Sequence, residues 1–191
     1  LKPLLIIGAS SFGHLMAVLA EDCGRKVAGY VDDYHTGPGI AGTTTQLGEA
    51  ISATDFDLVM AIGYKHLTAR IELFDVLSQR GFHFPTLVHP RAVVSSRASI
   101  GDGCLLMSGV NVDAFTTIGD ACVLWPGAIV SHDNQIGRNT FISPGATLCG
   151  FVSIGQDSFI GANCTIIDSS SVEDGGFVKA ATRYQTKNKE K

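Results

Sequence analysis

No run of roughly 18 apolar residues occurs in this 191-residue chain, which argues against a membrane-spanning helix. Charge is sparse (17% of residues) and carries no basic excess, the formal net charge being −4, so nucleic acid is not expected as the main partner. There is no C-x-x-C and no Cys/His pair at metal-ligand spacing among the five cysteines, so no metal is expected. Leu1 enters an apolar strand almost at once, without the basic and apolar regions of a signal peptide, and the chain reads as cytoplasmic.

What is present in abundance is a six-residue beat. An aliphatic residue stands at every sixth position through Val88, Val94, Ile100 and Leu106, without a miss to Ile166, Val172 and Val178. Neither the 3.6 period of a helix nor the 2.0 period of a strand requires this spacing. A coil with three flat faces does, with one inward aliphatic per face. The pattern is the hexapeptide repeat of a parallel β-helix. Ile-Gly recurs once per three-sided coil, at Ile100-Gly101, Ile118-Gly119, Ile136-Gly137 and Ile154-Gly155, marking one corner. The residue two before each aliphatic is usually small, as at Cys104, Thr116, Cys122, Ala128, Ala146 and Cys164. A small residue beside a branched one suits a narrow triangular core. Roughly five coils follow, stacked ~4.8 Å apart. Cys104, Cys122 and Cys164 then occupy inward slots as small apolar groups.

The first 86 residues follow a different rule. Leu4 to Ile7 reads as a buried strand, Gly8 to Gly13 as a tight turn, and His14 to Asp22 as a helix. Val27 to Val31 and Asp57 to Ile62 are further strands, and Leu67 to Arg80 a second helix. Strands alternating with helices imply a small Rossmann-like α/β domain with a parallel sheet. The expected organisation is therefore residues 1–86 as this Rossmann-like domain, 87–181 as the β-helix and 182–191 as a flexible tail, with Lys187 to Lys191 frayed. The turn at Gly8-Ala9-Ser10-Ser11-Phe12-Gly13 opens a helix whose N-terminus can hold phosphate. Asp32 and Asp33 end the next strand, where a carboxylate can reach a ribose or base. Ser10 replaces the middle glycine of a dinucleotide fingerprint, so a mononucleotide fits better than NAD. The alternative is that the glycines serve only a tight turn.

On the coil, His132 stands out. With Val130 inward, His132 points outward, and the stacked positions Ala114 and Gly150 are small. Asp133 follows directly and can orient the ring. An imidazole with a pKa near 6.5 suits general-base work near neutral pH. Gly150 stacks on His132, where its N–H is placed to meet a developing oxyanion.

The order of a small α/β domain and then an uninterrupted hexapeptide coil resembles the NeuD/PglD-type sugar acyltransferases. The marks are Gly8-Ala9-Ser10 with Gly13, Val31-Asp32-Asp33, Ala61-Ile62-Gly63, the stretch from Val130 to Gly137, Ser143-Pro144-Gly145-Ala146 and Cys149-Gly150. The resemblance implies a left-handed β-helix, a homotrimer, and acetyl transfer from acetyl-CoA to a nucleotide-linked amino sugar. It implies His132 as base, Asp133 as its support and the Gly150 N–H as oxyanion donor. CoA would lie near Phe141, Gly150, Ala162, Lys179 and Ala180. The nucleotide sugar would engage Gly8, Ser10, Ser11, Gly13, Asp32, Asp33, Gly63 and Trp125. Phe12, Trp125 and Phe141 depart from the residues of the amino-sugar N-acetyltransferases, as does Val178-Lys179-Ala180-Ala181 from their C-terminal close. O-acetylation of a sialic-acid type sugar and a non-catalytic nucleotide-sugar scaffold are the competing readings.

Overall fold

In the computed structural model, which describes residues 1–186, the chain divides into two units at Leu87/Val88. In the first, β1 (Leu4–Ile7) is buried along its whole length. That burial on both faces is what an unbroken aliphatic run in a parallel sheet requires. β1 lies parallel to β2 (Val27–Val31) on one side and β4 (Asp57–Met60) on the other, and β3 (Ile40–Gly42) adds an edge, giving the order β3-β2-β1-β4. Helix α1 (Ser11–Asp22) makes the crossover from β1 to β2, and α2 (Leu67–Gln79) follows β4. The β1 to α1 turn is very tight. A Cβ on Gly13 would lie only 1.9 Å from the Gly8 carbonyl oxygen, and Gly8 itself has φ +106. Both glycines are therefore demanded by the turn alone.

Three boundaries differ from the sequence expectation. α1 begins at Ser11, three residues before His14, because the tight turn ends sooner than its glycines suggest. β4 stops at Met60, and β3 lies inside a segment that reads as a Gly-rich loop. A three-residue strand with an irregular pairing register carries too little pattern to be read.

The second unit is a parallel β-helix of two-residue strands, each paired with the strand 18 residues on. Val112, Val130, Leu148 and Ile166 stack in one such ladder, and Ile118, Ile136 and Ile154 in another. The inward aliphatics from Leu106 onward are buried, with Cys104, Cys122, Ala128, Ala146 and Cys164 at 0% exposure beside them. Burial pushes the Cys164 thiol pKa up. At the first coil Val88 is 38% exposed and Val94 only half-buried, since a terminal coil has a neighbour on one side only. The coil also runs further than expected. Arg183–Tyr184 pairs with Thr165–Ile166, and Tyr184 packs on the core, so the segment from 182 does not begin as a flexible tail. The remainder of that expected tail, Lys187 to Lys191, lies outside the described residues.

The corners obey their own six-residue rule. From Gly103 to Ala181 the residue three after each inward aliphatic is left-handed, including Phe115 (φ 63), Asp133 (φ 56), Phe151 (φ 57) and Ser169 (φ 60). The Ile-Gly glycines have a different cause. A Cβ on Gly119 would sit 2.7 Å from the backbone nitrogen of Arg138 on the next coil, so these positions are glycine because the coils approach closely there.

Candidate functional site

Extending the ladder of Val112, Val130, Leu148 and Ile166 by two residues gives a surface column of Ala114, His132, Gly150 and Asp168. The register turns the His132 side chain outward, and it is 49% exposed. Three contacts hold it. Nδ1 is 2.9 Å from Asp133 Oδ2. With the proton on Nδ1 the ring donates to the carboxylate, and Nε2 keeps its lone pair. The ring also packs edge-on against Phe151, with centroids 5.2 Å apart and planes at 86°. Beneath it lies Gly150: a Cβ there would fall 2.7 Å from His132 Cε1 and 2.9 Å from Nε2. Glycine at 150 is thus the condition for the ring's position.

The Gly150 N–H corrects the sequence expectation. It donates to Asp168 Oδ1 at 2.7 Å, so it is engaged and not free to meet an oxyanion in this structure. The same device, a carboxylate 18 residues on accepting a backbone N–H, links Asp120 to Asp102 and Asp174 to Gln156. Gly150 therefore serves the imidazole through the room it leaves, and Asp168 joins the site.

The residues expected around CoA are placed elsewhere on the coil. Ala162, Lys179 and Ala180, with the half-buried Trp125, lie at the corners that follow the ladder of Leu106, Leu124, Ile142, Ile160 and Val178. His132 lies at the next corner along the chain, so one coil does not bring the two groups together. Lys179 and Ala180 are exposed. Phe141 is only 1% exposed, and its ring is not presented as a groove wall in the described chain.

In the α/β unit, Gly8, Asp32 and Asp33 line a cavity of about 130 Å³ together with Ile7, Val31, Tyr34, Thr44 and Ile62. Ser10 and Ser11 are exposed at the start of α1, Gly13 is buried in the turn, and Gly63 precedes a short 3-10 turn. Both carboxylates already serve the protein. Asp32 Oδ2 accepts the Ala9 N–H at 2.7 Å, and Oδ1 accepts those of Tyr34 and His35 at 2.8 Å. Burial raises the Asp32 pKa, but the N–H donors of Ala9, His35 and Tyr34 outweigh it and hold the carboxyl well below the usual range. Asp33 accepts the N–H and the hydroxyl of Thr44, both at 2.7 Å. A ribose hydroxyl would have to share these acceptors. Among the described residues, no three His, Cys, Asp or Glu side chains are grouped to hold a metal, and no helix is long and apolar enough to cross a membrane.

Residues 3–76 match the PglD N-terminal domain, and residues 97–132 and 133–168 match the bacterial transferase hexapeptide repeat model. No curated protein sequence matches significantly. Among solved structures, the acetyltransferase domain of PglB from Neisseria gonorrhoeae FA1090 superposes with a TM-score of 0.91 at 31% identity, over 97% of this chain and 92% of that one. The same domain in complex with acetyl coenzyme A gives 0.87 at 31% identity, over 96% and 90%. PerB from Caulobacter crescentus, in complex with CoA and GDP-perosamine, gives 0.88 at 28% identity, over 97% and 90%. The fold and its repeat are those of a hexapeptide-repeat transferase with a left-handed β-helix. Within that class, the chain belongs to the NeuD/PglD-type sugar acyltransferase family.

Phe151, Phe115 and Asp168 escaped the sequence reading. All three share the two columns that contain His132 and Asp133, so the 18-residue beat applied to its neighbours on either side identifies them.

Proposed function

We propose that the protein is an acetyl-CoA-dependent N-acetyltransferase acting on the amine of a nucleotide-linked amino sugar, with His132 as general base. The observation that carries this is the His132–Asp133 pair at 2.9 Å, solvent-facing and seated on a glycine, in a chain whose relatives include the PglB acetyltransferase domain with acetyl coenzyme A and the GDP-perosamine N-acetyltransferase. Nδ1–H is held by Asp133, and Nε2 takes the proton as the amine nitrogen attacks the thioester carbon. The C–S bond then breaks, and the imidazolium returns its proton to the leaving thiolate, releasing CoA. The α/β unit serves the nucleotide part, with the cavity beside Gly8, Asp32 and Asp33 as its seat and Ser10, Ser11, Gly13 and Gly63 around it. Trp125 lines the sugar side.

The acetyl-CoA corner comprises Ala162, Lys179 and Ala180. Because these lie one corner away from His132, a second copy of the chain, as in a homotrimer, is the natural means of setting such a corner opposite the base. Light scattering tests that assembly, and a monomer would count against it. For the activity, acetyl-CoA consumption is measured against UDP-, dTDP- and GDP-linked amino sugars. His132→Ala should lower kcat by at least ~100-fold, the scale of general-base loss. An unchanged rate refutes the assignment. Turnover of free sialic acid, without any nucleotide sugar, would favour the O-acetylating reading.

A further inference from the structure

Asp168 is an exposed carboxylate in the same column as the base, and the described chain uses it once, as acceptor of the Gly150 N–H at 2.7 Å. That bond places Oδ1 firmly. The position of a Cβ on Gly150 is 2.9 Å from His132 Nε2 and 3.4 Å from Asp168 Oδ1. The two atoms are therefore no more than about 6 Å apart, the sum of those distances. This is also the span of two hydrogen bonds of ~2.9 Å meeting at one shared atom. Oδ2 has no protein partner among the described residues. Asp120 and Asp174 make the same backbone bond elsewhere on the coil, so the bond alone is structural. What sets Asp168 apart is that the base lies within reach of the same ligand atom.

We infer that Asp168 is a specificity-determining residue that selects an amine over a hydroxyl as the acetyl acceptor. This rests on the reading of His132 as base. A hydroxyl has one proton, and once it points at Nε2 nothing remains to donate to Asp168. An amine has a second donor for the carboxylate, and its ammonium form has a third and a positive charge. The bound ammonium loses one proton to water. The neutral amine attacks the thioester carbon, forming C–N, and passes a proton to Nε2. The C–S bond breaks, CoA leaves as the thiol with the proton from the imidazolium, and one N–H remains on the amide product. Through these steps one proton of the nitrogen stays directed at Asp168, while a hydroxyl acceptor facing Nε2 presents only lone pairs to the carboxylate.

The test compares wild type with Asp168→Asn, whose side-chain oxygen still accepts from Gly150, on nucleotide-linked amino sugars and on the same sugars with hydroxyl in place of the amine. Loss of a charge-assisted hydrogen bond corresponds to roughly a 10- to 100-fold fall in kcat/KM for the amine. The hydroxyl sugar should change less than threefold, and Asp168→Glu should recover part of the amine preference. An equal change for both acceptors, no change, or a gain in amine turnover overturns the inference. Calorimetry without acetyl-CoA separates this from the function itself. Wild type should bind the best amino sugar of the panel at least tenfold tighter than its hydroxyl counterpart, and Asp168→Asn should lose that margin. Absence of the margin in wild type also overturns it. If the margin is present and turnover is absent, it is the proposed activity that fails.

Discussion

Replacing Gly150 with alanine is the sharpest test of the site, because the perturbation is one methyl group of known position. The backbone at 150 is outside the left-handed region, so alanine adopts it without strain. The new Cβ would stand 2.7 Å from His132 Cε1 and 2.9 Å from Nε2. Carbon contacts relax at about 3.5–4.0 Å, so the ring must retreat by roughly 1 Å. The Nδ1 to Asp133 bond starts at 2.9 Å. A retreat of that size takes it to the edge of useful geometry, and the edge contact with Phe151 changes with it. A displacement of about 1 Å in a reacting group costs on the order of 100-fold in rate. Release of CoA thiol with an amino-sugar acceptor should therefore fall ~100-fold in Gly150→Ala, mainly in kcat. Its melting temperature should remain within a few degrees of wild type, because the half-exposed ring has solvent to move into. A Gly150→Ala enzyme with kcat within threefold of wild type would refute the claim that this glycine seats the base.

Phe151 is left-handed at φ 57 and 59% exposed, a conformation that costs a side-chain-bearing residue about 1 kcal/mol or more. Phe151→Gly should hold or raise the melting temperature while lowering turnover, since the ring edge that steadies His132 is removed; lost stability with intact turnover would contradict this. Ile142 is fully buried in the coil core, so Ile142→Ala should lower unfolding free energy by about 2–5 kcal/mol in denaturant titration. Asp32 carries a depressed folded pKa, so its stabilising contribution is present above the unfolded carboxyl pKa of ~3.9 and is lost as pH falls through the window below it. The stability gap between wild type and Asp32→Ala should accordingly narrow below about pH 4, and a gap independent of pH would show that the hydrogen bonds do not act through ionisation.

What was legible in the chain depended on whether a residue's place follows from a period. The inward aliphatics, the buried Cys104, Cys122 and Cys164, and the outward turn of His132 all follow from counting in sixes, and the structure places them there. The α/β unit has no long period. Its strands were legible as apolar runs, but β3 is too short to register, and the glycines of its first turn are required sterically whether or not a ligand binds there, since Gly13 all but touches the Gly8 oxygen. The acidic pair at Asp32 and Asp33 was visible as a pair, but its use in tying down the segments at Ala9, His35 and Thr44 was not, because those partners are set by loop geometry.

The site on the coil sits between these extremes. Counting in eighteens from His132 reaches Ala114 on one side and Gly150 on the other, and one further step reaches Asp168. The step matters because a backbone N–H on a solenoid edge is judged by what the next coil offers it. Gly150 considered with His132 alone is a free donor aimed at a reacting atom. With Asp168 in place it is a filled donor that fixes a carboxylate near His132. In a stacked coil the surroundings of a position are therefore set by at least three layers, and a motif read on one layer picks out the His-Asp pair without naming what surrounds it. The His132–Asp133 pair and its surroundings are also built differently. The pair is made by adjacent residues at one corner, whereas Gly150, Phe151 and Asp168 reach it from the next two coils, so only the pair is visible in a local motif.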